Sequence, residues 1–179
     1  MIYPDLKCIF FRIYRTGTST IEHLLAGNKV IEVKPRHISV RDFELRFKYS
    51  FLKFAFVRNP FDLVASLYEH EKHFNKIESF DWFIKWLTEN GNGLKTADNI
   101  RQTQSQMLKG GVDFIGRFEN FENDVKKLFM ILKLPPPSII PTTNKFKYLP
   151  YQKYYNKHTQ ARITDYFSHD LETFKYKFE

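Results

Sequence analysis

The chain has 179 residues, 28 Lys and Arg against 20 Asp and Glu for a formal net charge of +8, and 42% hydrophobic residues with 19 Phe among them. That length provides for one domain with a substantial core, and the lone cysteine excludes an internal disulfide and a multi-cysteine zinc site. The basic balance calls for an anionic partner without separating nucleic acid, acidic glycan and phosphorylated cofactor. In chain order, Lys7 to Ile13 is a mostly apolar run that predicts a strand buried on both faces, with Cys8 as a small buried apolar residue. YRTGTST, residues 14–20, follows as a loop, and Ser19-x-x-Glu22 predicts a capping box opening a helix that stops near Gly27. Lys29 to Val33 alternates and reads as a second strand, and Ser39-x-x-Asp42 opens a short helix to about Phe47.

LKFAFV, residues 52–57, is the next buried strand, broken by RNP, and Pro60 suits the first turn of a helix to about Phe74. Further helices are expected over Ser79 to Glu89 and Ala97 to Leu108, a strand over residues 112–116, and an amphipathic helix from Phe121 to Leu132. PPPSIIP has to be a loop. The aromatic, basic tail from Tyr148 to Glu179 reads as one or two helices. Alternating strands and helices with short connections give an α/β fold, a single domain over 1–179 with a mainly parallel sheet flanked by helices.

Three places carry chemistry. In the first loop, Gly17 permits close backbone approach, Thr16, Thr18, Ser19 and Thr20 carry hydroxyls, and Arg15 adds a fixed charge. A strand-to-helix turn of this composition suits a phosphate, and it reads equally well as a capped helix start whose hydroxyls satisfy their own backbone. Arg58 falls at the C-terminal end of a buried strand, where open α/β sheets place ligands. Ser66, eight residues on, sits two turns into the next helix. Together they could reach a second phosphate, or they are a surface arginine pairing with Asp62 and a packed serine. His37 in PRHISVRDF, residues 35–43, follows the expected second strand and could take a proton from a hydroxyl, or it is an exposed loop histidine. The other five histidines stand in no convincing metal pattern.

In this order the segments resemble the carbohydrate-type sulfotransferases that use 3′-phosphoadenosine 5′-phosphosulfate. YRTGTST is similar to their 5′-phosphosulfate loop, Pro-Lys-x-Gly-Gly/Ser-Thr-Ser, and FKYSFLKFAFVRNPFDLVASLY to the stretch holding their 3′-phosphate Arg and Ser. VDFIGRFENFENDVKKLFMILKLP resembles the later strand–helix segment. The closing acidic residue and FKYKF resemble the terminal Asp-x-x-x-Phe-Gly-Tyr-x-Phe. PRHISVRDF is similar to the His-x-Ser segment of heparan sulfate and uronyl 2-O-sulfotransferases, the nearest in pattern together with their short bacterial or viral relatives. The resemblance implies a P-loop-like sulfotransferase fold. It implies that Arg15, Thr16, Gly17, Thr18, Ser19 and Thr20 hold the 5′-phosphosulfate and Arg58 and Ser66 the 3′-phosphate. His37 is the implied base, Arg15 the second catalytic group, and Lys145 an aid to closing over the nucleotide.

The implied reaction moves a sulfuryl group to a hydroxyl of a carbohydrate acceptor, leaves 3′-phosphoadenosine 5′-phosphate and requires no metal. Two departures stand out: Arg15 replaces the loop lysine and Tyr14 the proline. Guanidinium stays protonated and acts by charge and hydrogen bonding only, which a loose transfer transition state accommodates. The alternatives are a catalytically weak or inactive sulfotransferase-fold protein that binds a nucleotide or acidic glycan, and a P-loop kinase, whose lysine-Ser/Thr ending is missing. No nucleic-acid motif is present. With no apolar run of about 18 residues and no basic-then-apolar leader, a complete chain would be a cytoplasmic protein without a membrane span.

Overall fold

The structure, a computed structural model, describes residues 1–89, 100–141 and 149–179. Lys145 lies outside them. The chain divides into two compact units, Met1–Arg58 with Gln106–Lys145, and Asn59–Ser105 with Phe146–Glu179.

The first unit is built on a four-stranded sheet of β1 (Ile2–Tyr3), β2 (Cys8–Phe11), β3 (Leu52–Val57) and β4 (Phe114–Arg117), in that spatial order. β1 runs antiparallel to β2, and β2, β3 and β4 are parallel, so the fold is α/β with a mainly parallel sheet. CIFF is buried at every residue because both sheet faces are covered. Cys8, Phe10, Phe54 and Phe56 share one face with Ile21 and Leu25 near α1 (Thr18–Leu24) and Val125, Leu128 and Phe129 of the later helix Phe121–Ile131. The Phe10 and Phe54 rings, paired in register, stack at 4.9 Å. Phe11 turns to the opposite face and meets Phe43 of α2 (Val40–Arg46) edge-on at 5.4 Å. Each such buried Phe contributes about 1.5–3 kcal/mol, so the alternation of β2 fixes which helix covers which face.

Two expectations are overturned in this unit. Lys29 to Val33 is no strand; Ile31 makes only an isolated antiparallel bridge to Ile2, with two backbone hydrogen bonds of 3.0 and 2.8 Å. Its partner β1 is two residues long, and Val30 and Ile31 stay exposed, so nothing rewards extending the pairing. The Ser19–Glu22 capping box does not form: α1 starts at Thr18 behind Gly17, which is left-handed (φ 85°), without a side-chain cap. Glu22 goes to two arginines instead, because charge-assisted pairs outweigh one bond to a neutral N–H. The Ser39 cap does form, its hydroxyl accepting from Asp42 N–H at 3.1 Å.

The second unit holds α3 (Pro60–Glu71), α4 (Phe80–Thr88), α7 (Lys157–Tyr166) and α8 (Ser168–Phe174). α5 (Gln104–Met107) straddles the boundary and α6 (Phe121–Ile131) belongs to the first unit. Pro60 is the first residue of α3 as its fixed φ favours, and Asn59 caps it by accepting from Phe61 N–H. Phe61, Tyr151, Tyr155 and Phe178 pack edge-to-face and stacked at 4.9–6.4 Å, absorbing the aromatic tail. Asp170, fully buried, accepts from the Gln104 and Ser105 backbone N–H groups at 2.9 and 2.8 Å and so satisfies the start of α5 from a distance. Lys175 is left-handed (φ 56°) at the end of α8. It occupies the position of the glycine in the terminal pattern that begins at Asp170.

Candidate functional site

The parallel strands β2, β3 and β4 run into Arg12, Arg58 and Phe118 at their C-terminal ends, the edge at which such sheets place ligands. The phosphate-type loop continues from β2. Arg15 and Gly17 are both left-handed, with φ of 57° and 85°. Alternating hand along a turn is the geometry from which successive N–H groups line an anion-sized concavity. Gly17 is required twice over: a Cβ there would lie 2.7 Å from Phe121 Cζ and closer still to Cε2. The Phe121 ring itself rests on Phe56 at 5.0 Å.

The loop hydroxyls have local work. Thr16 and Thr18 donate to the Ile13 carbonyl at 3.0 and 2.9 Å, and Thr20 donates to the Pro141 carbonyl at 3.2 Å. Thr16 and Thr20 are buried, whereas Arg15, Gly17, Thr18 and Ser19 are partly exposed. Donor capacity toward a ligand thus falls on the backbone more than on the threonine hydroxyls. Satisfying their own backbone and holding a phosphate turn are compatible here, because the bonds to Ile13 are what fold the turn.

Arg58 is only 3% exposed. Its Nη1 donates to the Arg15 carbonyl at 2.8 Å, and its guanidinium carbon lies 4.0 Å from the Phe118 ring centroid. Ser66 is buried in α3, in the second unit, so Arg58 and Ser66 fall in different units.

His37 reaches the loop by another route than the one expected. No strand precedes it; its ring stacks on Tyr14 at 3.6 Å and its Nδ1 lies 3.0 Å from the Arg12 carbonyl. A carbonyl only accepts, so Nδ1 carries the hydrogen and the neutral ring keeps its lone pair on Nε2. Burial above all, opposed by this hydrogen bond and assisted by the Arg12 and Arg36 charges, brings the His37 pKa down to about 4. The ring is therefore neutral at pH 7. Residues 14 and 15 are thus gripped in succession, Tyr14 by the His37 ring and Arg15 by Arg58.

Sequence reasoning missed Arg12, Glu22, Phe118 and Phe121. Arg12 had a signal, being a charge inside the apolar run CIFFRI, and a buried charge needs partners. The two phenylalanines had none, since aromatic residues near a helix start are ordinary core. Among the described residues no helix is long and apolar enough to cross a membrane. No group of three or more His, Cys, Asp or Glu among them could hold a metal ion.

An uncharacterized protein of Archaeoglobus fulgidus is 37% identical over 89 residues, covering 48% of this chain and 70% of that protein. No solved structure matches. The sequence pattern of the sulfotransferase family matches residues 2–177, nearly the whole chain, and this chain belongs to that family.

Proposed function

We propose that the protein transfers the sulfuryl group of 3′-phosphoadenosine 5′-phosphosulfate to a hydroxyl of a carbohydrate acceptor. The observation that carries this reading is the double grip on Tyr14 and Arg15. A neutral imidazole and a buried guanidinium converge on a left-handed turn at the C-terminal edge of a parallel sheet. The turn fits an anion, having backbone donors, a partly exposed Arg15 and no carboxylate among residues 14–20. In this reading Arg15, Thr16, Gly17, Thr18, Ser19 and Thr20 form the 5′-phosphosulfate seat. Arg58 and Ser66 receive the 3′-phosphate, although Arg58 also spends one N–H on the loop carbonyl.

When bound, the donor supplies the sulfuryl group and a phosphate leaving group. His37 accepts the acceptor hydroxyl's proton at Nε2 while Nδ1–H stays on the Arg12 carbonyl, so the ring is held as it becomes cationic. Arg15 and the loop N–H groups face the charge that grows on the departing oxygen, which a preorganised donor set stabilises without reorganisation. A ring of low basicity suits a loose transition state in which the oxygen loses its proton late.

A second reading, a sulfotransferase-fold protein that binds nucleotide without turnover, draws on Arg15 in the lysine position. Calorimetry with 3′-phosphoadenosine 5′-phosphate against ATP, followed by turnover of wild type and His37→Ala over an acceptor panel, separates the readings. We expect preference for the 3′-phosphorylated nucleotide and a 10²–10⁴-fold loss of rate, of the order of a lost general base, with binding retained. Preference for ATP would overturn the assignment, and tight binding with no transfer to any acceptor would favour the second reading.

A further inference from the structure

We propose that Arg12 is a positioning residue for the transfer, clamping the 36–37 peptide and the His37 ring so that the proton sits on Nδ1 and the lone pair on Nε2. This rests on the reading of His37 as the base. Arg12 lies at the end of β2, two residues before Tyr14, and is 2% exposed. Its Nε donates to the Arg36 carbonyl at 2.8 Å, on one side of His37, and its own carbonyl accepts from His37 Nδ1–H at 3.0 Å. One residue therefore holds the histidine at two points, with its side chain and with its main chain.

The clamp is anchored in turn. Arg12 Nη1 donates to Glu22 Oε1 at 3.2 Å, with Glu32 Oε1 3.9 Å away. Glu22 also receives Arg36 Nη2 on both oxygens, at 2.9 and 2.7 Å. Glu22 sits in α1, the helix that the phosphate-type loop opens. The same carboxylate therefore ties the loop's helix, the end of β2 and the residue before His37 into one hydrogen-bonded set.

An apolar side chain at position 12 would fill a buried strand end without the cost of desolvating a guanidinium. The charge is thus poorly explained by stability alone, and its contacts converge on residues 22, 32 and 36 rather than on the hydrophobic core. Stacking on Tyr14 fixes the ring plane, whereas the bond to the carbonyl selects which nitrogen is protonated. Arg12 itself forms and breaks no covalent bond; it sets the tautomer and the direction of a group that does.

The test is long-range ¹H–¹⁵N NMR on ¹⁵N-histidine-labelled protein at neutral pH, with His37 assigned through His37→Gln. Wild type should show one neutral tautomer, protonated at Nδ1. Arg12→Lys keeps the charge but loses the fork, and Glu22→Gln keeps the shape but loosens the anchor, so one of the two should remain folded. In whichever folds, the single tautomer should give way to a mixture.

A wild-type ring protonated at Nε2, or an unaltered tautomer in the folded variant, would overturn the proposal. If wild type binds ATP in preference, the sulfotransferase mechanism fails on that separate measurement, whatever the tautomer result.

Discussion

Replacing Gly17 by alanine tests the phosphate-type loop at its tightest point. At φ 85° an L-residue costs about 1–2 kcal/mol. The new methyl would also be pressed 2.7 Å from Phe121 Cζ. The Phe121 ring cannot swing away cheaply, being packed on Phe56 at 5.0 Å and Phe118 at 5.9 Å, so overpacking adds about 1–3 kcal/mol. Gly17→Ala should therefore destabilise the fold by about 2–5 kcal/mol in urea denaturation. The two contributions separate in a Phe121→Leu background, where the clash is relieved but the left-handed strain remains, so the cost of Gly17→Ala should fall to about 1–2 kcal/mol. A cost below about 0.5 kcal/mol in wild type, the range of indifferent surface substitutions, would refute the reasoning. So would an equal cost in both backgrounds, which would mean that the ring is not what excludes a side chain.

Three further outcomes follow from the same geometry. Because His37 is held neutral down to a pKa of about 4 while an unfolded histidine titrates near 6.5, the unfolded chain binds more protons in that window. Stability should then fall as pH drops from 6.5 to 4. At about 1.4 kcal/mol per pH decade, discounted for the ring's partial exposure, the loss is about 2 kcal/mol, and His37→Gln should flatten it in thermal scans at stepped pH; an equal slope in the variant would assign the effect elsewhere. Lys175→Gly should stabilise the second unit by about 0.5–1 kcal/mol, the left-handed penalty less glycine's entropy cost, and a destabilisation would show that the lysine side chain matters more than its backbone. Arg15→Ala should weaken 3′-phosphoadenosine 5′-phosphate by about 10–100-fold in calorimetry, the worth of one charged hydrogen bond, and an unchanged Kd would remove Arg15 from the phosphate seat.

β2, β3, β4 and most helices were legible because their signals are local. LKFAFV became β3 residue for residue, and Ser39 and Ser79 cap the helices they were expected to start. The failures share a physical cause: the outcome of a local pattern was decided by groups distant in the sequence. Ser19 and Glu22 satisfy a capping-box pattern, yet Glu22 is drawn to Arg12 and Arg36, which approach it only when the chain has folded. Lys29 to Val33 alternates like a strand, but its one neighbour is two residues long. His37 was placed at the sheet edge for the wrong reason, a strand that is absent, and reaches it through the Arg12 carbonyl and the Tyr14 ring. A backbone acceptor leaves no trace in a sequence, so that contact could not have been read in advance. The terminal pattern becomes intelligible only in the folded chain: its Asp satisfies the start of α5, and its glycine position, here Lys175, is left-handed.

The substitution of arginine for the loop lysine can be judged from the backbone as much as from the side chain. Arg15 is left-handed at φ 57°, a conformation that costs any non-glycine residue and persists only where the surroundings enforce it. Arg58 supplies that enforcement by donating to the Arg15 carbonyl at 2.8 Å, and Tyr14 is held from the other side by the stacked His37 ring. The shape of the turn therefore does not depend on whether residue 15 ends in an ammonium or a guanidinium. What changes is the head group: a planar fork can meet two oxygens of one phosphate at once, where lysine offers a point charge. A proline at position 14, as in the pattern the loop resembles, would set φ but could not stack as Tyr14 does on His37. The two departures from the pattern thus fall on adjacent residues that the fold grips separately, one by Arg58 and one by His37. Against the pattern that the loop resembles, a stiff Pro-Lys pair gives way to a Tyr-Arg pair held by clamps from outside the loop.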